Sequence, residues 1–282
     1  MAPAAVVYAA WALYPLTQTA WLSLLDWDGL TAAKFVGVGN YVAALGDPRI
    51  LRALTHSLVF VFFYCLLPCA VGLAFAGIMT RVRVRAGVMF RAILFIPQVL
   101  STVVIAVAWR WIYAKDGPLN GLLDAIGLGR AARAWLGDFT FALPAVGLIG
   151  TWVMSGLCMV LFVAGVQKIP QETFEAARLD GAGPVREFFA ITLPSLRGEL
   201  SVALIFTVTF ALRNFDIVWN TTTGGPGDST KVPSVFIYSD AFMTHRVGMA
   251  AAIGILVTIL ILGVTGLIIG LVRPREPRKG WR

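Results

Sequence analysis

Long apolar stretches separated by short polar segments dominate the chain. Six of them extend over about 20 or more residues, the length at which an α-helix crosses the hydrocarbon core of a bilayer. They cover roughly residues 2–25, 56–80, 88–112, 140–166, 199–219 and 247–272. None alternates apolar and polar residues with a period of two, as the strands of a membrane β-barrel would. The pattern therefore predicts six transmembrane helices.

The composition supports a membrane protein. Apolar residues make up 58% of the 282 positions and charged residues 13%, with a mean hydropathy of +0.80. A soluble domain of average composition carries about 25% charged residues. No low-complexity linker divides the chain, so we expect an all-α fold with a single transmembrane domain over residues 1–282. The first span lacks a basic segment before it and is too long for a signal peptide, so we expect it to remain uncleaved.

The basic residues between the spans predict the orientation. One side receives Arg81, Arg83, Arg85, Arg91, Lys168, Arg178, Arg186, Arg197 and the tail residues Arg273, Arg275, Arg278, Lys279 and Arg282. The other side receives Lys34, Arg49, Arg52, Lys115, Arg130, Arg133, Lys231 and Arg246, which acids in the same loops balance. The positive-inside rule places the first set and both termini in the cytoplasm. Because the net charge of +8 lies between apolar spans, it indicates orientation rather than nucleic-acid binding.

Residues suited to catalysis or cofactor binding are scarce. Cys65, Cys69 and Cys158 fall inside apolar spans without the spacing of a metal site or a disulfide framework. His56 and His245 lie near span ends, where a structural or interfacial role is the ordinary one. No G-x-x-x-x-G-K-[ST] motif is present. We therefore expect no metal, no bound cofactor and no ATP hydrolysis by this chain.

The segment 167–198, predicted to be cytoplasmic, has the signals of a short helical hairpin. Pro170 suits the first turn of a helix, and Glu172 and Glu175 favour the positive end of its dipole. Gly181 stands where a helix ends in a left-handed residue, and Pro184 begins a second helix that should stop near Pro194. Small residues at 176 and 177 would let another protein approach closely, with Phe174 and Leu179 as apolar anchors. An ordinary amphipathic connector is the alternative.

A family resemblance bears on this hairpin. Glu175-Ala176-Ala177, then Gly181, then Ile191, Leu193 and Pro194 match the EAA motif of permease subunits in binding-protein-dependent ABC importers. The resemblance implies the type I importer permease fold in a bacterial cytoplasmic (inner) membrane. It also implies as partners a second homologous permease, two cytoplasmic ATPases that hold ATP and Mg, and an external solute-binding protein. In that setting Glu175 would contact an ATPase, and Gly181 would fix the turn of the hairpin.

Three further fragments resemble the sugar-permease (MalF/UgpA-like) branch of this family. They are Asn40-Tyr41 after Gly37, Trp109-Arg110-Trp111 followed by Gly117 and Asn120, and Phe215-Asp216 followed by Thr223-Gly224-Gly225-Pro226. The resemblance implies import of a sugar, with a di- or oligosaccharide favoured, by alternating access that the partner ATPases drive. Glycerol phosphate or another polyol is the alternative substrate.

Candidate residues for the substrate path cluster at the end of the predicted fifth span. An ionisable residue in a span is expensive and usually faces a cavity or a partner. On a continuous helix Arg213 and Asp216 would share a face, so an internal ion pair and a substrate role are both open. Asn214 offers a neutral amide for hydrogen bonds to sugar hydroxyls, and Phe210, Phe215 and Trp219 offer faces for sugar rings.

Two other classes of protein fit the sequence less well. A secondary transporter would use repeated broken helices and intramembrane ionisable residues, and 213–216 is the one weak cluster of that kind. A membrane-embedded enzyme such as a glycosyltransferase would need an acid–base or metal constellation at the membrane interface, and none is visible in the sequence.

Overall fold

A computed structural model describes residues 2–79 and 87–272 of the chain. The basic segment with Arg81, Arg83 and Arg85, and the basic tail from Arg273 onward, lie outside the described residues. Within them the secondary structure is helical apart from one short antiparallel hairpin, in which β1 (Leu25–Asp26) pairs with β2 (Lys34–Phe35). The all-α expectation is confirmed in that the described chain is mostly helical.

The longest α-helices lie largely within the predicted apolar stretches, and the described residues form sixteen α-helices in all. They are α1 Ala2–Tyr8, α2 Tyr14–Leu22, α3 Gly39–Gly46, α4 Pro48–Val61, α5 Leu67–Met79, α6 Gly87–Val99, α7 Thr102–Ile112, α8 Pro118–Ala125 and α9 Ala142–Val166. They continue with α10 Gln171–Leu179, α11 Pro184–Glu187, α12 Leu193–Ser195, α13 Arg197–Leu212, α14 Asp216–Thr222, α15 Pro233–Phe242 and α16 Val247–Val272. Single π-helical segments at Ala9–Leu13, Phe62–Leu66 and Phe188–Thr192 join neighbouring α-helices, and a 3₁₀ turn covers Gly129–Ala131.

Three described helices are long and apolar enough to cross a membrane: Pro48–Ile78, Ala142–Val166 and Val247–Leu271. Two further spans arise if each of two bent pairs counts as one. These pairs are Arg91–Val99 with Thr102–Ile112, bent by 107°, and Pro184–Ser195 with Arg197–Leu212, bent by 72°. The helical segment 2–22, over the predicted first span, belongs to neither group. It carries Thr17, Gln18 and Thr19 in consecutive positions.

The chain separates into two compact units. The first comprises the described residues up to Val59 together with Ala106–Val146 and Leu212–Leu262. The second comprises the described residues of Phe60–Ile105, then Gly147–Ala211, and those from Gly263 onward.

In the first unit, side-chain amides hold the polar loops. Asn40 Nδ2 donates to the carbonyl oxygens of Ser23 (2.9 Å) and Leu25 (2.8 Å), which ties α3 to the chain just before β1 and to its first residue. Asn120, 2% exposed, donates to the carbonyls of Lys115 (3.0 Å) and Arg133 (2.8 Å) and so closes the loop around α8. Helix α8 begins directly after Gly117, with Pro118 in its first turn.

The core of the first unit lies between α3, α4, α15 and α16. Its buried members are Ala44, Ile50, Ala53, Phe236, Met249, Ile253 and Val257. Gly248 lies against the Leu25 carbonyl oxygen so closely that a Cβ there would overlap it. The first turn of α16 is therefore fixed against the β1 strand.

In the second unit, α9 packs against α5 and α6 with little space between backbones. A Cβ on Gly72 of α5 would lie 2.8 Å from the Cys158 carbonyl carbon. A Cβ on Gly156 of α9 would overlap the Leu94 carbonyl oxygen of α6. Without a strong hydrophobic force between helices in lipid, such close contact is what holds transmembrane helices together. Cys69 and Cys158 are buried there as free thiols, with their Sγ atoms 3.9 Å apart.

We expect Gly156→Ala to destabilise the protein by about 1–3 kcal/mol, because the added methyl group overpacks a filled contact. Gly263→Ala on α16 is the matched control, since nothing lies within 4 Å of a Cβ at that position. The control should be neutral or slightly stabilising because Ala has the higher helix propensity. Thermal unfolding of the detergent-solubilised chain measures both, and equal stability of the two variants would contradict this packing.

Candidate functional site

The segment 167–198 in the second unit folds as a helical hairpin. Its first arm is α10, which begins after Pro170, carries Glu172 in its first turn and ends at Leu179. Gly181 follows with a φ of +77°, the left-handed conformation expected of a helix-ending glycine. The predicted hairpin and its left-handed glycine are therefore confirmed as local structure.

The second arm begins and ends where it was predicted to. It starts at Pro184, runs through the π segment Phe188–Thr192 and ends at Ser195, next to Pro194. Helix α13 then starts at Arg197, after the 72° bend. Pro194 lies two residues after the π segment, near the end of the arm.

The motif residues present an open, acidic helix surface. Glu175 and Ala176 are exposed and Ala177 is half-buried. The Glu175 carboxylate accepts a 2.9 Å hydrogen bond from Gln171 Nε2, one turn earlier. Ile191 and Leu193 are half-buried, and Pro194 is exposed. Small residues beside an accessible carboxylate give α10 a face that a cationic groove can approach closely.

One of the two predicted apolar anchors is wrong. Phe174 is 7% exposed. Its ring therefore packs in the interior of this chain and is not accessible to a partner protein. Leu179 is 90% exposed and remains available. Both residues are apolar members of one amphipathic helix, and helical periodicity does not indicate which of them faces the protein.

An ion pair joins the two arms of the hairpin. Arg178 Nε in α10 donates to Glu187 Oε1 in α11 over 3.0 Å, and the Glu187 side chain is only 2% exposed. A buried carboxylate that is held by an arginine fixes the angle between the arms. The sequence contained a signal for this pair, because a basic and an acidic residue flank the glycine turn nine positions apart.

Further contacts attach the hairpin to the rest of the second unit. Phe188 lies on Gly77 of α5, where a Cβ would be 3.0 Å from its ring. Lys168 Nζ, just after α9, pairs with Glu199 of α13 at 2.8 Å. Leu196, fully buried, occupies the space that a Cβ on Gly165 of α9 would need. The hairpin and its flanks are thus in direct contact with α5, α9 and α13.

The second predicted cluster lies at a helix break. Helix α13 ends at Leu212 and α14 begins at Asp216, so the predicted continuous span 199–219 is wrong. The argument that Arg213 and Asp216 share a helix face fails with it, since residues 213–215 separate the two helices. Asn214 is 4% exposed, whereas Arg213 and Asp216 are exposed. The break therefore turns the neutral amide inward and the two charges outward.

A row of aromatic rings in the first unit begins at this break. Phe215 stacks on Trp219 with ring centroids 5.5 Å apart, and Tyr238 of α15 lies 4.9 Å from Trp219. Phe242, one turn further along α15 and 70% exposed, continues the row at 5.4 Å from Tyr238. Phe210, predicted to belong here, stacks on Tyr64 in the second unit instead. The sequence contains no indication that Tyr238 and Phe242 belong to this row, because they lie in α15, well after the break at 213–215.

We expect Arg178→Leu to loosen the hairpin, because it leaves the buried Glu187 carboxylate without its arginine, at a cost of about 1–3 kcal/mol. The double variant Arg178→Leu with Glu187→Leu should be milder, since no buried charge remains. Arg186→Leu, which replaces an exposed cation in the second arm, is the control. Amide hydrogen exchange over 171–195 measures all three. Equal protection in the single and double variants would show that the ion pair does not order the hairpin.

Comparisons with known proteins agree with this geometry. The family described as "Binding-protein-dependent transport system inner membrane component" matches residues 67–276. The chain is 37% identical over 264 residues to the probable ABC transporter permease protein YurN of Bacillus subtilis, covering 93% of this chain and 90% of that one. It is 33% identical over 265 residues to the trehalose/maltose transport system permease protein MalF of Thermococcus litoralis, covering 93% and 88%.

Among solved structures, a chain of the bacterial alginate ABC transporter in complex with an alginate pentasaccharide-bound periplasmic protein has the same fold. The TM-score is 0.81 at 19% identity, over 99% of this chain and 94% of that chain. The chain belongs to the family of inner-membrane permease components of binding-protein-dependent ABC transport systems.

Proposed function

We propose that this permease imports a di- or oligosaccharide, and that it does so by alternating access driven by ATPases docked on the 167–198 hairpin. As a member of its family, the chain is a non-catalytic membrane subunit, and ATP is hydrolysed on partner chains. Its partners are those ATPases and a solute-binding protein. We further propose a second, homologous permease and ATP with Mg on the ATPases.

The hairpin geometry is the observation that carries the coupling proposal. ATP binding would close the two ATPases on each other, and α10 would move with the ATPase that holds it. Arg178 joins the two arms of the hairpin, and Phe188 and Lys168 attach the hairpin and its flank to α5 and α13. Because of these contacts, that motion would reach the membrane-spanning part. Two states whose populations the ATPases bias are enough for alternating access. In this scheme Glu175 makes a charge-assisted contact, and Gly181, with Ile191, Leu193 and Pro194, shapes the hairpin.

The sugar assignment rests on the aromatic row and on the relatives. Stacked rings with partly open faces suit the apolar faces of pyranose rings, while a buried amide such as Asn214 suits their hydroxyl groups. Relatives named for trehalose/maltose and for lactose transport share 33% and 31% identity with this chain. The alternative substrate is glycerol phosphate or another polyol. Arg213 at the break would favour glycerol phosphate, because its guanidinium group could pair with the phosphate. A secondary transporter has no use for a docking hairpin.

The proposed topology has six spans and one transmembrane domain in a bacterial cytoplasmic membrane. Segment 2–22, the bent pair Arg91–Val99 with Thr102–Ile112, and α13 from the second bent pair supply the spans beyond the three long apolar helices. Both termini and the hairpin lie in the cytoplasm, as the distribution of basic residues predicts. The β1–β2 hairpin, the α8 loop and the segment before α16 then face outward.

The coupling proposal predicts that Glu175→Lys abolishes co-purification of the ATPases and sugar uptake, with membrane insertion retained. A charge reversal against a cationic groove costs several kcal/mol. Glu172→Lys, an exposed acid in the same helix outside the motif, is the matched control and should retain most uptake. Gly181→Val should behave like Glu175→Lys, because a β-branched residue is strained at positive φ. Normal ATPase association in both variants would remove the hairpin from the coupling mechanism.

The substrate proposal predicts that Asn214→Ala lowers sugar uptake about tenfold, while complex assembly and basal ATPase activity persist. Loss of a hydrogen bond to a bound hydroxyl accounts for an effect of roughly 1–1.5 kcal/mol. Asn220→Ala is the control, because Asn220 bonds its own helix through the Asp216 carbonyl at 2.8 Å. Radiolabelled sugar uptake by reconstituted vesicles measures both variants. Unchanged kinetics for Asn214→Ala would place the sugar contacts on the other permease.

A further inference from the structure

A polar cavity of about 490 Å³ lies in the first unit, on the other side of α15 from the aromatic row. It is bounded by the junction of α3 with α4 and by the junction of α15 with α16. Its polar lining consists of Asp47, Arg49, Lys231, Ser239, Asp240 and Arg246, with Thr244 at its edge. None of these residues was identified as a site by the sequence, because they come from three separate segments.

Most charges in the cavity are already paired within the chain. Arg49 pairs with Asp47 at 2.8 Å, and Lys231 pairs with Asp228 at 3.2 Å. Asp240, 9% exposed, accepts a 3.2 Å hydrogen bond from the Thr244 hydroxyl. Hydrogen bonds from Arg49, helped by the through-space charge of Arg246, lower the pKa of Asp47 from its ordinary value. The Asp47 carboxylate therefore stays ionised at neutral pH and keeps its pairing with Arg49.

Arg246 is the exception. Its guanidinium group is exposed and forms no hydrogen bond or ion pair with any residue in the ranges 2–79 and 87–272. Its position is nevertheless fixed, since its backbone N–H donates to the Asp240 carbonyl at 2.6 Å. The preceding His245 has a φ of +52°, which is uncommon for a residue with a side chain. The chain thus holds one unpaired cation at the rim of a charged cavity.

The position of the cavity argues against the sugar as its occupant. Tyr238 and Phe242 of the aromatic row lie on one face of α15, while Phe236, Ser239 and Asp240 line the cavity from the opposite face. At 100° per residue, Tyr238 and Asp240 are about 200° apart around the helix. In the proposed topology the cavity opens on the outer side, where a solute-binding protein docks.

We propose that this cavity is a docking site for the solute-binding protein, and that Arg246 pairs with a carboxylate side chain of that protein. Arginine presents a planar fork of donors that matches a carboxylate in two parallel hydrogen bonds. The cavity has room for the side chain that bears the carboxylate together with its neighbours. Charge complementarity of this kind sets the orientation and the association rate of partners more than their final affinity. The inference rests on the proposed function and orientation.

The test uses the complete transporter, reconstituted in nanodiscs, and its purified solute-binding protein. We expect Arg246→Glu to weaken binding about tenfold, mainly through slower association, and the loss to shrink at 0.5 M salt because screening shortens the range of the interaction. Arg130→Glu, an exposed cation of the α8 loop away from the cavity, should change binding less than twofold. Basal ATPase activity should be unchanged in both variants. Arg246→Gln gives the same comparison if the Glu variant does not assemble.

The outcomes separate this inference from the proposed function. Rescue of Arg246→Glu by an acid-to-arginine change in the binding protein would establish the pair. Equal losses for Arg246→Glu and Arg130→Glu would indicate a general charge effect and overturn the docking site. Reduced uptake with unchanged binding would assign the cavity to an anionic substrate and overturn it as well. A wild-type complex that bound neither ATPases nor any solute-binding protein would instead refute the proposed function.

Discussion

The hydrocarbon core of a bilayer contains no water, so every backbone amide and carbonyl in it must find its partner within the protein. This constraint explains why the described chain is mostly helical. Close contacts between helices, as at Gly72 and Gly156, then hold the segments together. Irregular backbone at membrane depth is tolerated only where it is buried or lines a cavity. In the proposed topology the break at 213–215, with Asn214 buried inside it, meets that condition.

Sequence patterns predicted the features that depend on local signals. The apolar stretches around α4–α5, α9 and α16 are long enough that hydropathy alone identifies them as spans. Gly181 was predictable because a helix that ends beside a proline-initiated one needs a left-handed residue. Two of the fragments that resemble the sugar-permease branch have a structural explanation, since Asn40 and Asn120 are the side-chain amides that hold the polar loops. The coupling and substrate roles of the motif residues remain predictions.

Other features depend on segments that are distant in sequence, and local patterns do not contain them. Hydropathy averaged over 199–219 hides a break of three residues, so the fifth span was drawn too long. Phe174 and Leu179 look alike in a helical pattern, although only the fold decides which one is buried. The strands β1 and β2 have two residues each, too few to show alternation. The cavity at Arg246 forms only when the segments around 47, 231 and 246 meet.

The Arg178–Glu187 pair has a consequence for the thermodynamics of assembly. A flexible loop that becomes ordered on docking loses conformational entropy, which subtracts from its affinity. The hairpin is already ordered by contacts inside its own chain, with the Glu187 side chain 2% exposed and held at 3.0 Å. Docking of an ATPase then requires little further loss of entropy, and binding can be tight over a small contact area. The same preorganisation makes the hairpin rigid. In the proposed coupling mechanism, little of the free energy of nucleotide binding would then be lost in deforming the hairpin.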